Sequence, residues 1–148
     1  MEPATTLTFS SNGKVYEWNG SLSVNAAKGS LITLITEGGI PSYSFTARDL
    51  DNYIHLQMQT SRLSIRTYSK TTTNISNNFR EELELQSNHY YMNKVGDFAT
   101  IVVTKIETLI ATGDRFASGT ITTKMSKEGT SEKIEITNGT FKAVKIIE

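Results

Sequence analysis

Hydrophobic and polar residues alternate with a period of two along much of the chain. Because successive side chains of a β-strand point to opposite faces of the sheet, this pattern predicts strands with one buried and one solvated face. The alternation therefore indicates an all-β protein. It is clearest in segments 43–47, 54–59, 63–66, 134–137 and 141–146.

Short turn signals rich in glycine, asparagine and aspartate separate the predicted strands at intervals of roughly ten residues. Such spacing is typical of an antiparallel β-sandwich or a flattened β-barrel rather than of βαβ units. The signals include Asn12-Gly13 and Asn138-Gly139. Asn-Gly suits a two-residue hairpin turn because both residues tolerate positive φ, so Asn138-Gly139 is expected to join the last two strands.

Residues 77–86 are compatible with two structures. An asparagine start and the four-residue spacing of Phe79 and Leu83 favour a short helix. Leu83 and Leu85 also alternate with glutamates, which favours a strand instead. We therefore predict an all-β fold in which a short helix near 77–86 is one of two alternatives.

Length and composition are those of one globular domain that covers residues 1–148. Hydrophobic residues make up 37% of the chain and charged residues 20%, a balance that supports a buried core and is unlike that of a disordered chain. The sequence shows no internal repeat and no linker between domains.

Charge and cysteine content exclude several classes of partner and cofactor. Fifteen basic and fifteen acidic side chains cancel, so no strong field gathers nucleic acid, which we do not expect as a partner. The absence of cysteine rules out disulfides, thiolate zinc sites, iron–sulfur clusters and cysteine nucleophiles. No motif points to another cofactor, and none is expected.

Apolar segments bear on membrane insertion and export. The longest, Ile32–Ile35 and Ile101–Val103, are far shorter than the roughly 20 residues that a transmembrane helix needs, so no transmembrane segment is expected. Met1–Pro3 lacks the basic start and apolar stretch of a secretory signal. The residues alone are compatible with a cytoplasmic protein and with an exported one whose signal has been removed.

Several motifs, read together, resemble a known group of proteins. Segment 117–121 ends in Gly-Thr-Ile, and segment 134–141 ends in Ile-Thr-Asn-Gly-Thr-Phe. An Asn12-Gly13 turn leading to Trp18 and a strand over 96–106 occur in the matching order. Together these features resemble small secreted or lipid-anchored all-β domains of unknown function from Bacteroidota.

The resemblance covers most of the chain and implies export, with tethering outside the inner membrane through a lipidated cysteine upstream of Met1. It departs from the group's pattern at Ile121, where the first motif usually has phenylalanine. It implies no catalytic residue, because the group has none assigned. From it we expect an extracytoplasmic protein that is lipid-anchored, periplasmic or at the cell surface.

The two histidines are the residues best suited to acid–base chemistry near neutral pH. His55 alternates with apolar neighbours and reads as a surface residue of a sheet. His89 lies in Asn88-His89-Tyr90-Tyr91, where consecutive aromatic residues must point to different sides, so that one ring meets solvent or a ligand. These four residues are the candidate ligand site, although one core and one rim tyrosine explain the same residues, and that structural interpretation is favoured.

Two acidic clusters each allow a structural and a functional interpretation. Asp49, Asp51 and Asn52 offer oxygen ligands for calcium, but the rest of a calcium loop is missing, and a turn between strands is the expected structure. The glutamates at 81, 82 and 84 offer carboxylates for glycoside hydrolysis. Neighbouring side chains on a strand diverge, so we expect these glutamates to form a solvated face.

Three functions follow from these observations. The first is a non-catalytic envelope or secreted module that binds a protein or glycan through a sheet edge, loops or residues 88–91. The second is a lipocalin-like carrier whose barrel, lined by Trp18, Phe45 and Phe98, holds a small apolar ligand. The third is a hydrolase that uses His89 or the acidic cluster. The absence of catalytic motifs favours the first.

Overall fold

The computed structural model describes residues 3–21, 28–37, 40–60, 63–71 and 81–148. These residues contain eleven strands and no helix, which confirms the all-β prediction. Within them there is accordingly no helix long and apolar enough to cross a membrane. The strands are β1 (Thr6–Ser11), β2 (Lys14–Asn19), β3 (Lys28–Glu37), β4 (Ile40–Asp49), β5 (Ile54–Thr60), β6 (Thr67–Thr71), β7 (Glu82–Leu85), β8 (Asn88–Tyr91), β9 (Phe98–Thr108), β10 (Arg115–Lys127) and β11 (Lys133–Ile147).

All these strands belong to one hydrogen-bonded sheet, in the order β2-β1-β11-β3-β4-β5-β7-β8-β10-β9-β6. Neighbouring strands are antiparallel except β11 and β3, so the sheet is mixed. A further pairing joins β10 to β11 and folds the sheet back on itself, but the sheet is not closed as a barrel. One folded mixed sheet therefore stands in place of a flattened barrel or of two separate antiparallel sheets.

Two long strands, β10 and β11, explain why the sheet is continuous. Along one edge, β11 pairs first with β1, over residues 137–142, and then with β3, at Ile146 and Ile147. Strand β10 likewise pairs along one of its edges with two strands, first with β9 and then, at Ser126 and Lys127, with β8. Each long strand thereby links strands that would otherwise belong to separate sheets.

The Asn138-Gly139 dipeptide lies inside β11 rather than between two strands, so the hairpin predicted there is wrong. Asn138 has a φ of 51°, and the pairing of β11 shifts register beside it with both neighbouring strands. This is a β-bulge, which uses positive φ as a turn does. A Cβ on Gly139 would lie 2.4 Å from the carbonyl oxygen of Ile121, so the close approach of the two strands requires glycine.

The helix alternative for residues 77–86 is wrong where the structure describes the segment. Strand β7 occupies Glu82–Leu85 between β5 and β8, and residues 77–80 lie outside the described residues. Leu83 is fully buried between these two neighbours. Tertiary packing against both strands therefore selects the extended conformation over the local helical preference.

The core consists of inward-facing residues from most of the strands. Phe9 stacks on Trp18 with ring centroids 5.4 Å apart, and Phe45 meets the edge of Phe141 at 5.3 Å. Trp18 and Phe45, which the carrier hypothesis assigned to a cavity wall, are therefore buried among other aromatic rings. The third residue of that hypothesis, Phe98, is half-buried at the start of β9.

Candidate ligand-binding cleft

A cleft of about 530 Å³ opens between strand β2, the β4–β5 turn and the β7–β8 hairpin. Its volume is within the range of sites that hold whole ligands. Three parts of the chain that are far apart in the sequence form its walls. The lining residues are Asn12 and 14–18 from the β1–β2 hairpin, Lys28, Asp49, Asn52 and Ile54 from the β3 to β5 side, and Leu85, Gln86, Asn88 and Tyr90 from the β7–β8 hairpin.

The first wall is β2, which a tight turn holds against β1. Asn12 and Gly13 have φ values of 52° and 76°, as a type I′ turn requires, and Ser11 pairs with Lys14 directly across it. Alternation directs Tyr16 to the same side as the core residue Trp18. Tyr16 stacks on Phe9 with a centroid distance of 5.1 Å and is covered by the ammonium of Lys14, also at 5.1 Å. This wall is therefore lined by an aromatic ring with a lysine ammonium over it.

The second wall is the turn that joins β4 to β5. The carboxylate of Asp49 is buried and accepts hydrogen bonds from the backbone and side-chain nitrogens of Asn52, at 3.3 and 2.9 Å. The Lys28 ammonium lies 3.8 Å from the same carboxylate. Asp49 therefore fixes Asn52 and Lys28 at the rim of the cleft. Asp51, the third member of the predicted calcium cluster, is exposed outside the cleft lining.

The third wall is the β7–β8 hairpin, whose turn residue Gln86 has a φ of 57°. The backbone N–H of Gln86 donates a hydrogen bond to the backbone carbonyl of Tyr53 at 2.7 Å, which connects this hairpin to the β4–β5 turn. Asn88 and Tyr90 point towards the cleft from the same face of β8. Burial raises the pKa of Tyr90 above its ordinary value, and the nearby charges of Glu132 and Tyr16 raise it further.

The structure divides the predicted Asn88–Tyr91 site between two faces of β8. Asn88 and Tyr90 line the cleft, whereas His89 and Tyr91 lie on the opposite face with their rings stacked at 5.3 Å. The His89 nitrogens contact two carboxylates, that of Glu82 at 3.1 Å and that of Glu128 at 3.4 Å. His89 thus already has partners on both sides of its ring.

The glutamates at 81, 82 and 84 do not share one environment. Glu81 is 1% exposed, forms an ion pair with Lys70 and accepts a hydrogen bond from the Gln59 amide at 3.3 Å. The prediction that it belongs to a solvated face is therefore wrong. The interpretation failed at this residue because its cation comes from β6, which precedes it by eleven positions. None of these three glutamates lines the cleft.

A smaller cleft of about 230 Å³ adjoins the first and shares Asp49, Ile54 and Gln86 with it. Its outer rim carries Leu50 and Tyr53, which are 53% and 74% exposed. Tyr53 has a φ of 55°, a conformation that bulky residues rarely adopt. The two clefts therefore form one continuous concave surface with an apolar rim.

Charge and hydrogen bonding show what the larger cleft offers to a ligand. Its two lysines, Lys14 and Lys28, balance its two acids, Glu17 and Asp49. The side-chain amides of Asn12, Gln86 and Asn88 make no hydrogen bond to another described residue. A primary amide can both donate and accept, so the cleft presents unused polar groups without a net charge.

A different polar cluster surrounds the buried carboxylate of Asp97, in the loop between β8 and β9. The carboxylate accepts hydrogen bonds from the side chains of Lys133 at 2.7 Å and Ser126 at 2.8 Å. It also accepts them from the backbone N–H groups of Asn93 and Lys94, at 3.2 and 3.0 Å. Burial alone would raise the pKa of Asp97, but these hydrogen bonds, led by that of Lys133, hold it below its ordinary value. The cluster is internally satisfied and fastens the loop to β10 and β11.

Sequence reasoning missed Tyr16 and Gln86 as residues of the cleft. Alternation with Trp18 predicts the side to which Tyr16 points, but the partner of β2 across the cleft depends on the order of strands in the sheet. Gln86 follows Leu85 at the end of an alternating segment, a position typical of a turn, and this signal could have drawn attention to it.

The described residues hold no group of three or more histidine, aspartate or glutamate side chains that could bind a metal ion. Comparisons with protein-family models, with curated proteins and with solved structures find no match to this chain.

Proposed function

We propose that this domain is a non-catalytic binding module of the cell envelope or of the secreted fraction, and that it holds a protein or glycan partner in the larger cleft. One observation carries the proposal. A cleft of ligand size contains amide side chains that have no partner within the described chain, and two residues predicted as ligand-binding, Asn88 and Tyr90, both face it.

The alternation of β8 provides a matched experiment. The double variant Asn88→Ala/Tyr90→Phe changes only the cleft face, and His89→Ala/Tyr91→Phe changes only the opposite face of the same four-residue strand. Ligands would first be selected from a glycan array and from a displayed library of random peptides. Their affinities for the parent protein and for both variants would then be measured by calorimetry.

We expect the cleft variant to lose affinity by about tenfold or more, since ~1.4 kcal/mol, the size of a good hydrogen bond, is a factor of ten. The opposite-face variant should bind within about twofold of the parent, because its residues do not reach the ligand. The proposal would be contradicted if both variants lost affinity equally. It would also be contradicted if no selected ligand bound the cleft variant more weakly than the parent protein.

The other two hypotheses have less support. A lipocalin-like carrier needs a closed barrel, whereas the sheet is not closed as one, and Trp18 and Phe45 pack against core rings. A hydrolase needs its acid–base groups in a cleft, whereas His89 and its carboxylate partners Glu82 and Glu128 do not line the larger cleft. Unchanged turnover of a glycoside substrate by His89→Ala/Glu82→Ala would remove those residues from consideration.

The site of action in the cell is part of the same proposal. The resemblance seen in the sequence supports an exported module, and export stays a prediction. Fractionation of cells that express the full-length gene would test it. Recovery with the envelope or medium is expected, and recovery with the cytosol would contradict it.

A further inference from the structure

We infer that the partner held in the cleft is a protein, and that an extended segment of it adds as a new strand to the outer edge of β2, which pairs with no other described strand. This inference rests on the proposed function, since it names the class of ligand that the same cleft takes.

The register of the β1–β2 hairpin determines which backbone groups of β2 make no hydrogen bond to β1. Residues next to a two-residue turn exchange both hydrogen bonds, and the pattern then alternates, so Lys14, Tyr16 and Trp18 bond to β1. The bond from the Gly20 amide to the Thr5 carbonyl, 2.8 Å long, continues this alternation. The N–H and C=O groups of Val15, Glu17 and Asn19 consequently point away from β1.

The edge that carries the outward groups of Val15 and Glu17 borders the cleft. Among the described strands β2 pairs only with β1, and it stands at the end of the strand order. Val15 and Glu17 both line the cleft, and the Val15 side chain is 67% exposed. Unpaired edge groups are a template for another strand, and proteins protect them with prolines, bulges or charged side chains, of which β2 has only the last, in Lys14 and Glu17. β2 has no proline and pairs without a register shift over all six residues.

An extended polypeptide matches this edge better than a sugar does. Along an edge strand, free donors and acceptors recur at every second residue, about 7 Å apart, and a polypeptide backbone in the β conformation repeats its own groups at the same interval. The cleft is electrically balanced, so recognition through a neutral backbone suits it. The amides of Asn88 and Gln86 on the opposite wall are placed to contact alternate side chains or backbone groups of the added strand.

The test compares Glu17→Pro with Glu17→Ala. Proline removes the outward amide hydrogen while leaving the hydrogen bonds of the neighbouring residues to β1, and alanine removes the side chain but keeps the amide. Proline is tolerated at edge positions whose N–H faces solvent. Peptides selected from the random library and oligosaccharides selected from the array serve as separate probes. Circular dichroism and a thermal unfolding curve confirm that each variant folds.

If a strand adds to β2, Glu17→Pro should weaken peptide binding by about tenfold or more, and Glu17→Ala by less than about threefold. Scanning N-methylation of the selected peptide requires no protein variant, so it decides the question even if Glu17→Pro does not fold. Loss of binding at every second peptide residue is expected, and a scan without that alternation would overturn the inference.

The two proposals fail in different ways. If an oligosaccharide binds the parent protein and loses affinity in Asn88→Ala/Tyr90→Phe, while no peptide binds, the binding function stands and strand addition is wrong. If neither class of probe yields a binder sensitive to that cleft variant, the binding function itself is contradicted. If a peptide binds with equal affinity to the proline and alanine variants, and its N-methyl scan does not alternate, the cleft recognises side chains only.

Discussion

The Asp97 cluster and the cleft use polar side chains in opposite ways. Around Asp97 a buried carboxylate accepts hydrogen bonds from Lys133, Ser126 and two backbone amides. In the cleft, amide side chains such as those of Asn88 and Gln86 have no partner among the described residues. The first arrangement is satisfied within the protein, whereas the amides of the second are open to solvent.

This contrast separates polar residues that stabilise the fold from polar residues that are available for recognition. Buried polar groups are costly unless they are paired, so a paired cluster contributes to stability and its loss is felt in unfolding. Solvated and unpaired groups at a cleft contribute little to stability, and their loss is felt in binding. Variants in the two regions should therefore differ in which measurement they change.

The largest effect on folding is expected from Asp97→Ala. The substitution leaves Lys133, Ser126 and two amides without their shared acceptor, and the free energy of unfolding should fall by about 3 kcal/mol. Urea unfolding followed by circular dichroism measures this. Asn88→Ala is the matched control and should change stability by no more than about 0.5 kcal/mol. Similar losses in the two variants would break the comparison.

The pH dependence of stability should report the same carboxylate. The folded-state pKa of Asp97 lies below its unfolded value, so its ionised form stabilises the protein above the unfolded pKa, and this contribution is lost as pH falls through the folded pKa. Unfolding free energies measured from neutral pH into the acid range should decline in this way. Asp97→Asn should flatten that part of the profile, and an unchanged profile would show that Asp97 is not its cause.

A smaller effect on folding than that of Asp97→Ala is expected from His89→Ala. His89 contacts Glu82 and Glu128, as Asp97 contacts its partners, but its side chain is 26% exposed, so solvent weakens these contacts. Its removal should cost less than about 1 kcal/mol. Thermal unfolding of the variant checks this value. A loss as large as that of Asp97→Ala would mean that burial is not what distinguishes the two clusters.

Alternation predicted most of the strands, because neighbouring residues of a strand show which of its two faces is buried. The strand predicted at 63–66 is wrong, since these residues precede β6 and include bends. The same local rule separates Asn88 and Tyr90 from His89 and Tyr91, a division that the structure then shows. The two Asn-Gly dipeptides show that the local sequence alone does not determine the backbone structure. Asn12-Gly13 forms a turn and Asn138-Gly139 a bulge, because β11 is held on both sides by β1 and β10.

The composition of the cleft could not be predicted in this way. Tyr16 and Tyr90 line it together although half of the length of the chain separates them. Their proximity depends on β2 being at an edge and on the fold of the whole sheet, neither of which any local pattern encodes. The burial of Glu81 has the same origin, since it depends on Lys70 from another strand.

The most direct test of the binding cleft is a set of NMR spectra of the labelled protein, recorded while its best selected ligand is added. The account predicts shift changes concentrated in residues 12–18, 49–54 and 85–90, with the Val15 and Glu17 amides gaining protection from hydrogen exchange if a strand is added. Shift changes confined to a distant surface, such as the exposed turn around Ile110, would contradict it.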